Sequence, residues 1–411
     1  MNIFIAATPV FDYNMAVKAY RLRSRKGDRV LGVEDFREAE NALSSPGLEF
    51  IESIGVEPFA GETPLMVDIS GYLLLLGAPV TSHIPSKGLI CVLERSMPIN
   101  ETVLGKCRRL VSEGYILALD GVPKDIGTNP LMQMISYIML DYQGPDFSGK
   151  VKTMLPYMRR IKMVICNVPD MEAFGRIGKI PNALYSGSFY SVPITRGDTE
   201  ISPLKINALN LLNEINREDF ELGQIASTIE RDPSLSISLL RFLNTEAAGV
   251  GRKISSIRSA VAILGQKAVR RWANITISVE LAADKPSEVT RLSLIRARFA
   301  ENIATAYELG IMAPGLFMAG LFSMLDVILE KPMKQAIEEI AVEQNVKMAL
   351  VDKKGPMSDV LQLVLAYERA DWDEAGMNML RNNVPVEKVH DAFIDALFWY
   401  KDLLHSIDSG E

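Results

Sequence analysis

Over its first 190 residues the chain alternates short apolar runs with stretches of helical character, and this order constrains the fold more than any other feature. The runs are Ile3–Phe11, Val17–Arg23, Pro64–Ile69, Leu89–Leu93, Ile116–Leu119, Ile135–Leu140, Lys162–Cys166 and Leu184–Tyr190. Many are apolar at nearly every position, as strands covered on both faces are. Segments such as Glu101–Glu113 and Asp170–Gly178 read as helices between them. A β–α order of this length predicts a parallel α/β fold. About eight runs, with no glycine-rich dinucleotide fingerprint after the first, favour a closed barrel over an open sheet.

The pattern then changes. The polar stretch from Arg196 to Pro203, with a Gly and a Pro, marks a boundary. After it Leu204, Ala208, Leu211, Leu212 and Ile215 recur at helical spacing. Asp219 is placed to cap a helix over Phe220–Glu230, Asp232-Pro233 to start the next, and Ser255 or Ser256 to cap Ile257–Leu264. Asn244 follows the Leu239–Leu243 run as a cap or turn. Further helical runs cover Leu292–Leu309, Gly315–Leu329, Lys334–Gln344, Met357–Glu368, Asp371–Arg381 and Val386–Leu404. The expected organisation is a barrel domain over 1–195, a linker over 196–203 and an all-α domain over 204–411.

Charge and rare residues exclude several functions. Residues 1–196 hold 21 Lys and Arg against 20 Asp and Glu; the remainder holds 23 against 31. Neither half has the basic excess of a phosphate-backbone binder, so nucleic acid is not an expected partner. The three cysteines, Cys91, Cys107 and Cys166, fit no zinc spacing and suit a reducing cytoplasm. No basic leader and no uninterrupted apolar run of membrane length is evident; Leu73–Val80 and Ile116–Asp120 are too short. The three histidines, His83, His390 and His405, are too few for a His-based metal centre in the helical half or for a nucleophile triad. No cofactor is expected.

Within the second run, Arg21, Arg23 and Arg25 alternate and so share one strand face. Like charges on one face repel unless they meet water or anions. The pattern alone leaves open a solvated strand end, an anion-facing site, or an acidic site rewritten as a basic one.

The first half resembles the EAL domain, a barrel that hydrolyses the bacterial second messenger cyclic di-GMP with metal ions held by carboxylates. Ile5-Ala-Ala-Thr-Pro-Val-Phe-Asp12 is similar to the opening of one EAL subgroup, and Ala19-Tyr-Arg-Leu-Arg-Ser-Arg25 falls on its Gly-Tyr-Glu-Leu-Leu-Phe-Arg. The resemblance puts Arg21 where the family has a metal-ligand glutamate, and Arg25 on the phosphate-contacting arginine. Asp68 falls on a metal-ligand asparagine, and Glu94 keeps a ligand glutamate. Ala118-Leu-Asp120-Gly121 keeps the first carboxylate of an Asp-Asp pair and loses the second. Met139 replaces a lysine, Cys166 or Asn167 a glutamate, and Ser186 and Val192 a closing glutamine and lysine. A two-metal site needs several anionic ligands, and an arginine among them adds a fixed positive charge. The expectation is a degenerate site without metal, in which Arg21 pairs with Glu94 or Asp120.

The second half resembles the HDOD domain, an all-α relative of the metal-dependent HD and HD-GYP phosphohydrolases. The resemblance rests on Ile225–Ser236, Leu239–Asn244 and Ile254–Gly265. Phe317–Ile328 falls on the metal-binding segment of HD enzymes, with Ser323 and Met324 in place of its His-Asp pair.

Together these imply a cytoplasmic bacterial signal transduction regulator, not an enzyme, that works through protein–protein interaction in pathways related to cyclic di-GMP. The expected partners are signalling proteins of unspecified identity; no membrane is involved, and homodimerisation through the barrel is compatible with the family. A non-hydrolysing cyclic di-GMP receptor is the alternative reading, and a residual phosphodiesterase the third.

Overall fold

The computed structural model describes residues 3–26, 45–70, 74, 86–95, 97, 99–194, 201–217, 220–243 and 256–408. The expected caps Asp219, Asn244 and Ser255, His83 and residues 196–200 of the expected linker lie outside the described residues.

Eight strands close into a barrel in sequence order. They are β1 (Ile3–Phe11), β2 (Val17–Lys26), β3 (Leu65–Ile69), β4 (Leu89–Glu94), β5 (Ile116–Asp120), β6 (Ile135–Asp141), β7 (Lys162–Val168) and β8 (Ala183–Gly187). The fold class expected from the sequence, an α/β barrel followed by a helical domain, is the one observed. One detail is corrected. β1 runs antiparallel to both β2 and β8, so the sheet is not wholly parallel. The reason is the five-residue link between β1 and β2: a parallel crossover needs a dozen residues or more, whereas a hairpin does not. Asp12 Oδ1 accepts from the backbone N–H of Asn14 and of Ala16 and fixes that turn.

Side chains alternate between the barrel axis and the outer wall. Val10, Ala19, Met66, Ile90, Val92, Ala118, Met139, Val164, Cys166 and Leu184 pack together and are buried. They fill the interior, as an eight-stranded barrel requires. Outside, α1 (Pro46–Ile54) lies on the outer wall, with Gly47 against Leu22, Ser24 and Val67. The helix α2 (Glu101–Ser112) is capped by Asn100, whose side chain accepts from Val103 N–H. Between β6 and β7 runs α3 (Phe147–Met154), and between β7 and β8 runs α4 (Met171–Ile177), capped by Asp170.

Two compact units divide the chain. One contains Met1–Val192 and Leu365–His390; the other contains Pro193–Val364 and Asp391–Glu411. The expected division at 204 placed all later helices in the helical domain, whereas Leu365–His390 packs with the barrel strands.

The helical unit begins with α5 (Pro203–Asn216), α6 (Leu222–Arg231) and α7 (Pro233–Leu243). Asp232 caps α7 as expected, accepting from Leu235 N–H at 3.1 Å. The long α8 (Ile257–Leu281) is capped by Ser256 and interrupted at Gly265. Next come α9 (Ser287–Ile303), α10 (Ala313–Leu321) and α11 (Leu325–Leu329). At the closest approach of α9 and α10, a Cβ added at Gly320 would sit 2.5 Å from the Ala297 backbone, so only glycine fits. The stretch Gly310–Leu329 has the length and mean hydropathy, 1.8, of a membrane span by composition, which the sequence reading did not anticipate. It is broken by two 3₁₀ turns, and 61% of its most apolar window is buried inside the fold. The last described helices are α12 (Pro356–Glu368), α13 (Trp372–Arg381), which falls in the barrel unit, and α14 (Val386–Asp408).

Candidate functional site

The inner face of β2 carries Ala19, which faces the core, and then Arg21, Arg23 and Arg25 in the same alternation. Arg21 is 6% exposed. Its Nη2 lies 3.1 Å from Asp68 Oδ1 on the adjoining β3 and 3.0 Å from Asp120 Oδ2 on β5, across the mouth. Its Nη1 lies 3.9 Å from the Cys166 thiol on β7. Its Nε has no hydrogen-bond partner among the described residues. Burial alone would pull the guanidinium pKa down; the adjacent carboxylates outweigh it and hold Arg21 above its ordinary value, always charged. Burial raises the Cys166 thiol, and the Arg21 charge only partly opposes this, so sulfur is present as the neutral thiol.

The expected pairing of Arg21 with Glu94 or Asp120 is therefore made with Asp120, and Asp68 joins it. The rim residue Glu94 is held above the usual carboxyl range by partial desolvation and by the Asp68 and Asp120 charges. Gly121 sits at φ +94°, where a side chain is strained, and its N–H donates to the Met139 carbonyl. Met139 is 1% exposed and belongs to the apolar barrel core, so it offers no charge to the mouth. Of the two alternatives on β7, Cys166 turns inward, while Asn167 Nδ2 donates to Asp141 at the rim. Ser186 is buried and Val192 exposed.

Farther along β2, Arg23 is half-buried, and burial together with the Arg21 charge pulls its pKa down. It has no hydrogen bond or ion pair among the described residues. Arg25 meets Asp373 on α13, with Nη1 2.7 Å from Oδ1. The sequence reading did not foresee that contact, because the two residues are 348 positions apart.

These residues do not suit a metal pair. The Arg21 guanidinium occupies the point on which Asp68 and Asp120 converge. Among the described residues no three His, Cys, Asp or Glu side chains stand close enough to share an ion.

In the helical unit, Ser323 Oγ donates to the Gly320 carbonyl at 2.7 Å and accepts from Arg296 Nη1 at 3.0 Å. Met324 is buried at 1% exposure. The neighbouring Asp326 carboxyl is raised by burial, a shift that the Arg296 charge partly opposes. The Arg270-Arg271-Trp272 cluster is bound inside its own unit. Arg271 grips Glu301 with both terminal nitrogens at 2.7 and 2.9 Å, Arg270 bonds the Ile215 and Arg217 carbonyls, and Trp272 is buried. His390 Nδ1 bonds the Ile3 carbonyl at 2.9 Å.

Fold and site together define a two-part protein: a closed eight-stranded α/β barrel whose mouth is bridged by a buried arginine, joined to a helical domain. Residues 201–364 match the HDOD domain family, and this part of the chain is an HDOD domain. Over nearly its whole length the chain is similar to the "Uncharacterized protein YuxH" of Bacillus subtilis (strain 168). The two are 26% identical over 414 residues, covering 98% of this chain and 99% of that protein. It is also similar to the "Cyclic di-GMP phosphodiesterase CdgJ" of Vibrio cholerae serotype O1. There the identity is 25% over 404 residues, covering 97% of this chain and 93% of that protein. Similar solved structures include a PaMucR phosphodiesterase in complex with c-di-GMP (TM-score 0.37, 14% identity, 46% of this chain and 94% of that one). Another is the EAL domain of Mycobacterium smegmatis DcpA (TM-score 0.33, 13% identity, 45% and 90%).

Proposed function

We propose that this protein is a non-catalytic signalling regulator in cyclic di-GMP-related pathways: an EAL-type barrel without phosphodiesterase activity, joined to an HDOD domain. Its working mode is protein–protein interaction with other signalling proteins, in the cytoplasm. The observation that carries the reading is Arg21, which bridges Asp68 and Asp120 where a hydrolytic site would need both carboxylates for metal. A guanidinium there neutralises the carboxylates but generates no nucleophilic hydroxide. Ser323 and buried Met324 likewise offer no ligand pair in the HDOD half. The full-length relative CdgJ is named as a phosphodiesterase, so the competing reading is turnover. The test is incubation of the intact chain with cyclic di-GMP and excess Mg²⁺ or Mn²⁺. The expected result is no linear product above the buffer control, and metal-dependent product would overturn the reading. Capture from native lysate by the intact chain, against an Arg21→Glu control, then identifies the partner.

A second reading, a receptor that binds cyclic di-GMP without cleaving it, draws support from Arg23, which faces the mouth without a partner among the described residues. Calorimetric titration separates the two: micromolar affinity for cyclic di-GMP that is lost in Arg25→Ala favours the receptor.

A further inference from the structure

Residues 147–192 carry seven Lys and Arg against two Asp and Glu, in a chain whose net charge is −7. Both acids, Asp170 and Glu172, stand at the start of α4, and Glu172 is paired with Arg176. The strands β3 to β8 run parallel, so their last residues, among them Glu94 and Asp120, gather at the mouth and their first residues at the opposite end of the barrel. The cations collect at that opposite end. Lys152 lies in the last turn of α3, Arg159 in the loop that enters β7, and Lys162 opens β7. Lys179 lies in the loop that enters β8; Asn182 ties that loop to the preceding one by donating from Nδ2 to the Met158 carbonyl at 2.8 Å.

All four cations are exposed, and among the described residues none of them pairs with a carboxylate. Lys162 lies over the Tyr137 ring, 5.9 Å from its centroid. Arg160, by contrast, is held by the Met132 and Gln133 carbonyls. Apolar side chains stand among the free cations. Leu155, in the 3₁₀ turn after α3, is 49% exposed, and Tyr13, stacked on Phe174 beside Gly178, is 58% exposed. The acids at the same end, Asp12, Glu62 and Glu113, belong to the approaches to β2, β3 and β5, and Asp12 and Glu113 are paired with Lys18 and Arg109.

Protein interfaces are depleted in lysine, whereas an anionic lipid surface attracts it through water. Three of the four free cations are lysines, and Leu155 and Tyr13 are single projecting side chains of the kind that enters a headgroup layer. We propose that this end of the barrel adsorbs to an anionic lipid surface, with Lys152, Arg159, Lys162 and Lys179 against the headgroups and Leu155 and Tyr13 among them. The mouth, at the opposite end, then faces water. This departs from the expectation that no membrane is involved, which rested on apolar length; an adsorbing surface needs charge and a few apolar side chains instead. It goes beyond the proposed function and holds whether or not turnover occurs.

The test is co-sedimentation of the intact chain with vesicles of phosphatidylcholine alone and of phosphatidylcholine mixed equally with phosphatidylglycerol, at low and at physiological salt. The expected result is binding to the anionic vesicles only, weakened by salt. Each cation near such a surface contributes about fivefold in affinity, so Lys152→Gln, Lys162→Gln and Lys179→Gln combined should weaken binding by about a hundredfold. Arginine at the same three positions should retain it, and Leu155→Ser should weaken it at both salt concentrations. Lys267→Gln, an exposed lysine of the helical unit, should bind as the parent does. Circular dichroism identical to the parent's confirms that these surface variants are folded. No sedimentation with the anionic vesicles, an undiminished triple variant, or a loss in Lys267→Gln equal to that of the triple variant overturns the proposal. So does capture of the chain by soluble polyglutamate without vesicle binding, which would make the surface one for an acidic protein.

Discussion

Removing the carboxylates around Arg21 should be tolerated once and not twice. The guanidinium is buried, whereas its partners are about half exposed, at 45% for Asp68 and 49% for Asp120. Asp120→Asn or Asp68→Asn alone leaves Arg21 one full counter-charge, and water screens the pair that was lost. Each single change should therefore cost about 1 kcal/mol. The double change strands a buried charge whose Nε already lacks a partner among the described residues. A stranded buried charge costs about 3–5 kcal/mol, well above the sum of the singles. Two units need not unfold together, so the readout is hydrogen exchange at the β2 and β3 amides rather than one melting curve. The expected excess in the double variant is at least about 1 kcal/mol over additivity. Additive costs would refute the claim that these two carboxylates neutralise Arg21.

Other expectations follow from the same geometry. Glu94 is protonated more readily in the folded state than in the unfolded one, so its ionisation lowers stability as pH rises through its raised folded pKa. Glu94→Gln should therefore stabilise the barrel by a few tenths of a kcal/mol at neutral pH and by nothing below the ordinary carboxyl range. Glu301 has the opposite sign. Burial raises its pKa, but Arg271 and Arg298 outweigh that and depress it, so its contribution is present above the unfolded carboxyl pKa and lost as pH falls through the folded one. Glu301→Gln should cost the helical unit about 1–3 kcal/mol at pH 7 in urea unfolding and progressively less in acid. Tyr367→Phe leaves the buried Ile5 N–H without its acceptor and should cost the barrel about 1–3 kcal/mol, seen as faster exchange of that amide. Gly320→Ala should lower the melting temperature of the helical unit, because its methyl meets the Ala297 backbone.

The strands were legible because barrel strands are buried on both faces, and an unbroken apolar run survives in the sequence. The last run was read too long: Phe189 and Tyr190 are aromatic and buried, yet belong to the 3₁₀ turn Phe189–Ser191 after β8 ends at Gly187. Burial marked the run, and hydrogen-bonding geometry, which composition does not carry, ended it. The direction of β1 was legible in principle from the short link after Phe11, but the β–α rhythm overrode it. At the site, alternation put Arg21, Arg23 and Arg25 on one face and the resemblance put Arg21 at a metal-ligand position, but a sequence has no measure of distance between strands, so Asp68 on the neighbouring strand was not named as its partner. The membership of Leu365–His390 left no local trace. Its helices are as amphipathic as those before them, and what assigns them is contact with Phe4 and Arg25 more than 340 positions away.

In each unit, a position that resemblance assigns to metal chemistry is met by a buried arginine: Arg21 between Asp68 and Asp120, and Arg296 on Ser323 beside Asp326. A bound dication stabilises a fold only in proportion to its free concentration over its dissociation constant. A guanidinium attached to the chain supplies its charge at every concentration, with a planar set of donors in place of open coordination positions. It can neutralise acidic side chains and fix the spacing of β2, β3 and β5, and it has no open coordination position at which a water is ionised. In the proposed regulatory role, such an exchange gives the barrel mouth a shape that does not depend on the metal supply. Arg21 explains the geometry of the mouth without explaining Arg23. Arg23, one step along the same face, has no hydrogen bond or ion pair among the described residues, and its burial and the Arg21 charge pull its pKa down.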